Sequence, residues 1–250
     1  MDKQRARLEI LAFRIVRRHF KKIVQSIPLQ NMSKFTYNAL IYSNVQQSQI
    51  FDMYKELYAT IGYDSYKRTL KEVKRMKDLS DISFEQLITN FLQQSAGLRI
   101  TSVHASLIQS IIDVIAKGYE DNLSVDQITR LLQRQFAWNR IQALRIARTE
   151  TTTITNSSTL LAANESPYQM EKTWISVQDN RTRRPPQSVY DHLDMNGVKV
   201  DYYNTFFVSG IEMEYPGDPN APAGTVINCR CKIAITLKED SNGLPILKNN

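Results

Sequence analysis

Apolar residues recur at intervals of three and four through the first 165 residues, which is the spacing that lines up one face of an α-helix. The first run ends at Ile27–Pro28, because the residue before a proline is driven out of helical geometry. A second run over 46–77 has breaks near Gly62 and at 78–83. The apolar positions are Ile10, Phe13, Val16, Phe20, Ile23 and Ile27 in the first run, and Ile50, Tyr54, Leu57, Tyr58 and Ile61 in the second.

Two further apolar stripes predict helices over 79–92 and 103–119. Gly118 and Asn122 are placed to end the second of them, since both residue types adopt the backbone conformations found at helix C-termini. The pattern therefore predicts a succession of amphipathic helices in this part of the chain.

Ser124 and Gln127 have the spacing of a capping box, in which the two side chains satisfy each other's backbone N–H groups at the start of a helix. A long helix or helix pair follows to about residue 164, with a turn near 138–139. Its middle, RIARTETTTITNSS, is rich in threonine, which is unfavourable in a helix unless the hydroxyls find partners.

After Ser166–Pro167 the pattern changes to short alternating segments separated by polar and proline-rich loops, which predicts β-strands. The predicted strands are 172–177, 198–202, 225–227 and 232–237. The fold class is therefore α+β, a helical N-terminal region followed by a small mixed helix and strand module. The predicted divisions are a helical region at 1–123, the module at 124–240 and a C-terminal tail at 241–250.

Composition restricts the class of protein. With 42% apolar and 23% charged residues among 250, the chain is typical of a folded protein and not of a disordered one. No apolar run approaches the roughly 20 residues that cross a bilayer, and charges interrupt the N-terminus where a secretory signal would be apolar. Two cysteines exclude a disulfide scaffold and favour a cytosol-like folding compartment.

The net charge of +7 is unevenly distributed. Before residue 166 there are 23 basic and 15 acidic side chains, and from there on 9 basic and 10 acidic. Residues 1–22 alone hold eight basic groups against two acidic ones. A solvated helix face is the commoner reason for such a cluster, and contact with double-stranded DNA is the functional alternative. The candidate DNA-binding residues are Arg5, Arg7, Arg14, Arg17, Arg18, Lys21 and Lys22.

The two cysteines, Cys229 and Cys231, are separated by one residue just before the last predicted strand. In an extended segment both side chains project from one face, so they are too parallel for an easy mutual disulfide. A structural zinc site takes four ligands, and His192 is the one histidine of this module. Packing of small buried side chains is therefore favoured. A Cys–Cys–His metal site completed by a carboxylate, or a thiol activated by His192, is the alternative.

Two charged motifs stand out. Asp179, Arg181 and Arg183 follow a predicted strand and suit a salt-bridged turn, although the same triplet could bind phosphate. Arg148 and Glu150 are neighbours on a helix and do not face each other, so we expect each to reach a partner elsewhere, in the β module.

An enzyme is a possible class as well. Asp179, His192 and the cysteine pair could form a metal-dependent or phosphoryl-transfer site. The chain has no clustered second acid and no phosphate-binding loop of the GxxxxGK type, so the sequence favours a protein without catalytic residues or a cofactor.

Taken in order, the motifs resemble the phage Mu F-like (MuF) family of minor head proteins of tailed bacteriophages. The resemblance covers residues 124–237, and five ordered elements within about 90 residues make it specific. The elements are IARTE (146–150), Trp174 with DNRTR (179–183), His192 with Gly197, Phe206 or Phe207, YPGDP (215–219) and INCRC (227–231).

The resemblance implies a non-enzymatic virion protein inside the capsid, present in several copies and associated with the portal and other capsid proteins. Such proteins aid head assembly (morphogenesis), DNA packaging or genome delivery. The resemblance carries motif positions and no catalytic residues. These positions are Arg148, Glu150, Trp174, Asp179, Arg181, Arg183, His192, Gly197, Asp218, Asn228, Cys229 and Cys231.

The chain departs from the family pattern at one place. The family histidine usually follows the second arginine of RTR by about three residues, whereas His192 follows Arg183 by nine, with RPPQSVYD inserted. If the histidine completes a site with the cysteines, this insertion has to be accommodated.

Overall fold

Helices make up most of the first 164 residues in the computed structural model, which describes residues 3–73, 84–95, 97–138 and 140–248. The predicted break at 78–83, and residue 139 of the predicted turn, lie outside the described residues. The helices are α1 (Lys3–Ser26), α2 (Tyr37–Asn44), α3 (Gln47–Leu57), α4 (Tyr63–Val73), α5 (Phe84–Ser95), α6 (Gly97–Glu120), α7 (Val125–Trp138), α8 (Arg140–Asn164) and α9 (Ala223–Val226).

Helix α1 ends at Ser26, which confirms the predicted stop before Pro28. Its buried face differs from the predicted one, because Ile10 is 53% exposed. The buried repeat extends back through Ala12 to Leu8, and a residue two positions from Leu8 lies on the opposite side of the helix. The remaining predicted positions of α1 lie on the packed side, where Phe13 is half-buried.

The predicted break near Gly62 is wrong. Helix α3 continues into α4 through a single wide turn at Tyr58–Gly62 that has π-helical hydrogen bonding. Gly62 is buried inside this turn, so it does not end a helix. All five apolar positions predicted for this region are buried.

The predicted helix boundary between α6 and α7 is confirmed at Asn122, whereas Gly118 lies within α6, two residues before its end at Glu120. Asn122 adopts a left-handed conformation with φ +54° just after α6. The backbone N–H of Gln127 donates to the Ser124 hydroxyl, and the Ser124 N–H donates to the Gln127 side chain at 2.7 Å, so the capping box is present. One apolar core then joins the helices, from Leu8 of α1 to Ile154 in the middle of α8.

The strands form two antiparallel sheets. They are β1 (Met170–Ile175), β2 (Lys199–Asp201), β3 (Phe206–Val208), β4 (Ile211–Met213) and β5 (Lys232–Leu237). The first sheet has the order β2-β1-β5, with Trp174 opposite Ile233, and β3 pairs with β4. The prediction for β5 is confirmed, and those for β1 and β2 are right to within two residues.

Two local features of the β module were not predicted. Residues 223–226 form the short helix α9, so the predicted strand at 225–227 is wrong. The β3–β4 hairpin turns through Ser209 and Gly210, both with positive φ, as a tight hairpin turn requires. This hairpin could have been predicted from the Ser–Gly dipeptide between FFV and IEM. The α+β class itself is confirmed.

The tail is an extended arm that lies along the sheet. Ile246 donates its N–H to the Lys238 carbonyl, and Gln169 donates to the Ile246 carbonyl at 2.7 Å. A second apolar core fills the module around Trp174, and includes Phe206, Cys229 and Cys231. Helix α8 lies between the two cores, since Ile154 belongs to the first and Leu160 packs against the second.

Candidate functional site

The threonine-rich face of α8 is the main connection between the helices and the loops of the β module. Thr149, Thr152, Thr153 and Asn156 follow one another at spacings of three, one and three, so they share one face, and all are buried. Each side chain hydrogen-bonds to the backbone of a module loop. We call these four residues the helix clamp.

The helix clamp grips the two loops that carry the YPGDP and INCRC motifs. Thr153 donates to the Gly217 carbonyl at 2.7 Å, and Thr152 donates to the Cys229 carbonyl. The Thr149 hydroxyl accepts the N–H of Asn228 at 3.0 Å and donates to its own helix. The hydroxyls therefore have the partners that their position in a helix requires.

Asn156 makes the densest set of these contacts. Its side-chain NH₂ donates to the Pro216 carbonyl at 2.7 Å and to the Cys231 carbonyl at 3.2 Å. Its side-chain oxygen accepts the N–H of Ile233 at 3.1 Å. One buried amide thus connects both motif loops to α8.

Gly217 lies where the YPGDP loop touches the helix clamp. Its φ is +86°, and a Cβ placed there would be 3.1 Å from the Thr153 hydroxyl oxygen and 3.2 Å from the Thr153 backbone nitrogen. A side chain therefore meets both an unfavourable conformation and a crowded backbone.

We expect Gly217→Ala to lower the free energy of unfolding by about 2 kcal/mol or more, because a left-handed L-residue costs roughly 1–2 kcal/mol before any crowding. Gly243→Ala is the matched control, since Gly243 also has positive φ and open space around it. Urea unfolding of both variants measures the difference. Equal losses in the two variants would contradict close packing at Gly217.

The DNRTR and INCRC motifs bind each other. Asp179 accepts two hydrogen bonds at 2.5 Å from the guanidinium of Arg230, and Arg183 donates to the Ile227 carbonyl. The predicted partner Arg181 is only at 3.8 Å from the Asp179 carboxylate, so the turn is closed mainly by its backbone N–H. The Arg230 guanidinium, through these hydrogen bonds, holds the pKa of Asp179 well below its usual range.

Comparison of the wild type with a variant that lacks the Asp179 carboxylate should show how much this group contributes to stability at each pH. Because the folded pKa of Asp179 is depressed, its contribution is complete above the unfolded pKa of about 3.9 and is lost as the pH falls through the folded pKa. We expect Asp179→Asn to lose about 1–2 kcal/mol at neutral pH, a range reduced for the partial exposure of the group.

The difference between wild type and Asp179→Asn should shrink below about pH 4. Thermal unfolding from pH 3 to pH 7 measures it. Asp194→Asn is the control, because Asp194 is exposed in the same module. A difference that stays constant across this range would show that the ion pair with Arg230 does not stabilise the fold.

The structure corrects the expected roles of Arg148 and Arg5. Arg148 reaches Glu9 of α1 at 3.7 Å, not the β module. Glu150 is buried in a cavity wall that it shares with Pro219 and Ala223 of the module. Arg5 is half-buried and donates to the carbonyls of Cys229 and Arg230, so it holds the INCRC loop.

The other candidate DNA-binding residues lie at the surface of α1. Arg18 pairs with Glu56, which also accepts a hydrogen bond from His19. Burial by itself raises the pKa of Glu56, but the hydrogen bonds and charges of Arg18 and His19 together outweigh it, so the pKa is lowered. The exposed residues are Arg7, Arg14, Arg17, Arg18, Lys21 and Lys22.

His192, Cys229 and Cys231 come together in the interior of the module. Their exposed fractions are 1%, 2% and 4%. The Nδ1 atom of His192 lies 3.6 Å from the Cys229 sulfur and 3.7 Å from the Cys231 sulfur. Among the residues that the structure describes, this is the only cluster of three or more His, Cys, Asp or Glu side chains with metal-ligand spacing.

The insertion before His192 is accommodated as a loop closed at its base. The backbone N–H groups of His192 and Leu193 both donate to the carbonyl of Arg183, at 2.9 and 3.2 Å. Residues 184–191 therefore leave and return to nearly the same point, and His192 reaches the cysteines despite the altered spacing.

The two thiols influence each other strongly. A hydrogen bond from Cys231, together with His192, holds the pKa of Cys229 well below its usual range in spite of burial. The pKa of Cys231 is raised by its hydrogen bond to Cys229 and by burial, while the Trp174 indole and the Val177 N–H lower it. Of the two sulfurs, Cys229 is thus the one that the surroundings favour as a thiolate.

The remaining motif residues shape the module around this cluster. Trp174 is completely buried and meets the rings of His192 and Phe206 edge-on, each at 5.3 Å between centroids. Gly197 turns the chain with φ +83° and donates to the Trp174 carbonyl. Asp218 is buried and accepts the N–H groups of Glu214 and Asn220, which fixes the YPGDP loop.

Most of the motif residues thus contact one another at the helix clamp and around the His–Cys–Cys cluster, in an α+β module that packs against α8. The family model described as Phage Mu protein F like protein matches residues 109–234, which is half of the chain. The chain belongs to this family of phage head proteins.

A curated protein is similar over part of its length. The NAD(+)--arginine ADP-ribosyltransferase EFV of Enterococcus faecalis is 29% identical over 136 residues, covering 53% of this chain and 26% of that protein. The chain therefore spans about a quarter of that relative. No solved structure matches the chain significantly. Among the described residues, every helix is too short or too polar to cross a bilayer.

Proposed function

We propose that the protein is a non-enzymatic minor head protein of a tailed phage that lies inside the capsid, next to the portal, in several copies. It aids head assembly, DNA packaging or genome delivery through its interfaces. The observation that carries this proposal is the match to the phage Mu F-like family, and the absence of a catalytic role is supported by motif side chains that bind other parts of the chain. Asp179 binds Arg230, Arg183 binds the Ile227 backbone and Asp218 binds its own loop.

Because these motif side chains bind other parts of the chain, we expect other residues at the surface to contact partners. Phe207 and Tyr203 are 64% and 75% exposed on the β module, and Phe35 is 93% exposed in the helical region. Aromatic side chains of this kind are common where proteins meet partners. The portal and other capsid proteins are the partners that we propose.

Co-expression with the portal protein and affinity purification of either one tests the proposal. We expect the two to co-purify, and a density map of the head should place the chain beside the portal. The matched control is the portal co-expressed with an unrelated α+β protein of similar charge. Absence of any association with portal or capsid protein would contradict the proposal.

A second function, binding of packaged DNA by α1, is favoured by one observation. Six of the seven candidate basic residues of this helix are exposed along it. Surface cations of this density attract phosphate and release counterions, so affinity should fall steeply with salt. Arg5 is left out of this proposal because its guanidinium binds the INCRC loop.

We expect the triple variant Arg14→Gln, Arg17→Gln, Lys21→Gln to bind duplex DNA more weakly and with a salt slope reduced by about 3 on a log–log plot, since each phosphate contact contributes roughly 0.9. Mobility shifts across a salt series measure this slope. The control changes the same net charge elsewhere, with Lys34, Lys71 and Arg130, all exposed, replaced by Gln. Equal effects of the two triples would contradict a specific role of α1.

No observation favours the enzyme alternative. Asp179 is held by Arg230 and does not belong to the described cluster of His192, Cys229 and Cys231. The transferase activity named for the enterococcal relative belongs to a protein of which the match covers 26%. The proposed function therefore contains no catalytic step.

A further inference from the structure

We propose that His192, Cys229 and Cys231 bind one Zn²⁺ ion, which fastens the loop before β2 to the segment that leads into β5. The inference concerns the folding of the module and does not depend on where the protein lies in the virion. Its ligand atoms are the Nδ1 of His192 and the two cysteine sulfurs, all within 4.8 Å of one another.

The distances between these atoms are those of a zinc site. For Zn–N of about 2.0 Å, Zn–S of about 2.3 Å and a tetrahedral angle of about 109°, the nitrogen and each sulfur should lie about 3.5 Å apart. The observed separations are 3.6 and 3.7 Å. The nitrogen–sulfur separations are thus within a few tenths of an ångström of those in a zinc site, and the two sulfurs lie within 4.8 Å of each other.

The histidine ring is held with the right nitrogen free to bind. Its Nε2 lies 2.7 Å from the hydroxyl oxygen of Thr225, and that hydroxyl donates to the sulfur of Met213 at 3.5 Å. Because the Thr225 proton is used in this way, its oxygen accepts the Nε2–H of His192. The neutral ring then presents the lone pair of Nδ1 to both sulfurs, as metal-bound histidines do.

A buried indole N–H beside the cluster also supports metal binding. The indole N–H of Trp174 is completely buried and makes no hydrogen bond of normal geometry. It lies close enough to Cys231 to affect that thiol. A metal-bound thiolate at Cys231 would be a better acceptor for this N–H than a neutral thiol, and so would relieve the cost of leaving a buried donor unsatisfied.

Binding of the ion is accompanied by the loss of the protons that the two sulfurs still hold. Both sulfurs bind as thiolates, so a cysteine that is protonated in the metal-free chain releases its proton to solvent, and a neutral imidazole binds without releasing any. No fourth His, Cys, Asp or Glu joins the cluster among the described residues, so the fourth ligand of the ion would come from outside these residue types. Burial of all three ligands keeps the ion away from bulk solvent, so its proposed role is to hold the two segments together.

Metal analysis and Co²⁺ titration of the full chain test the proposal. Protein purified under reducing conditions should contain about one zinc per chain, and the metal-free chain should bind one Co²⁺ with a thiolate-to-cobalt charge-transfer band that zinc then removes. Less than about 0.2 zinc per chain together with absence of this band would overturn the proposal. Copper bound in place of zinc would overturn the identity of the metal.

Variants assign the ligands. We expect Cys229→Ser and His192→Asn to lose the charge-transfer band or to shift it, whereas His104→Asn should keep it. His104 is the matched control, because it lies in the helical region and hydrogen-bonds the Val45 carbonyl. The titration of the wild-type chain decides the proposal even where a ligand variant fails to fold.

Thr225 is a positioning residue for this site. We expect Thr225→Val to weaken zinc binding 10- to 100-fold in competition with a chromophoric chelator, at an unchanged ratio of one ion per chain. Thr225→Ser should restore the affinity, because it keeps the hydroxyl that orients His192. Unchanged affinity in Thr225→Val would overturn the assignment of Nδ1 as the ligand atom.

Discussion

Asn156→Leu is expected to lower the free energy of unfolding by about 3–6 kcal/mol, since each buried backbone group left without a partner costs roughly 1–3 kcal/mol. The leucine fills a similar volume but leaves the carbonyls of Pro216 and Cys231 and the N–H of Ile233 unsatisfied. A loss of this size is a large fraction of the stability of an ordinary domain. Chemical unfolding followed by circular dichroism measures it.

Asn164→Leu is the control for this prediction, because it makes the same substitution on the same helix at an exposed position. It should change stability by less than about 0.5 kcal/mol, as surface substitutions usually do. Asn156→Asp separates donors from acceptors, since its carboxylate can still accept from Ile233 but cannot donate to Pro216. A small loss in Asn156→Leu, comparable to that of Asn164→Leu, would show that the motif loops do not need the helix clamp.

The local part of the fold could be predicted from the sequence. The stop before Pro28, the capping box at Ser124 and strand β5 each depend on residues within a few positions of one another. Such signals act through the backbone of their own segment, and distant packing does not reverse them. The buried face of α1 was misplaced at Ile10 because the choice of face depends on the helices packed around it.

The contacts of the helix clamp could not be predicted from local sequence, although its threonines indicated that hydrogen-bond partners exist. Threonines in the middle of α8 require partners, and no local pattern says which. Thr153 finds Gly217 across 64 positions, and Asn156 finds Cys231 across 75. Only the packing of the β module against α8 brings these groups together. The sequence therefore indicates that the hydroxyls need hydrogen-bond partners, and the structure identifies the backbone carbonyls that accept from them.

One part of the His–Cys–Cys cluster could be predicted from neighbouring residues, and the other part depends on residues far apart in the sequence. The burial of both cysteines was predicted from their place before β5, and it is confirmed. From the sequence, the approach of His192 was only an alternative, because the insertion after Arg183 changed the spacing on which a motif comparison depends. That loop closes onto the Arg183 carbonyl, which brings His192 close to the cysteines, and the number of residues between Arg183 and His192 gives no sign of this closure.

Phe206→Ala is expected to lower the free energy of unfolding by about 3–5 kcal/mol, the usual cost of removing a buried aromatic ring. Phe206 is completely buried, meets the Trp174 indole edge-on at 5.3 Å and lies 5.6 Å from the buried ammonium of Lys172. Its removal therefore opens a cavity in the module core and exposes the charge of Lys172 to it.

Phe207 provides a matched control within the same strand. Successive side chains of a strand point to opposite faces, and Phe207 is 64% exposed. We expect Phe207→Ala to cost less than about 1 kcal/mol, measured by the same unfolding experiment. The contrast decides which of the two phenylalanines is the aromatic position of the family motif, since only the buried one can hold Trp174 against His192. Equal costs in the two variants would contradict that assignment, and a larger cost at Phe207 would reverse it.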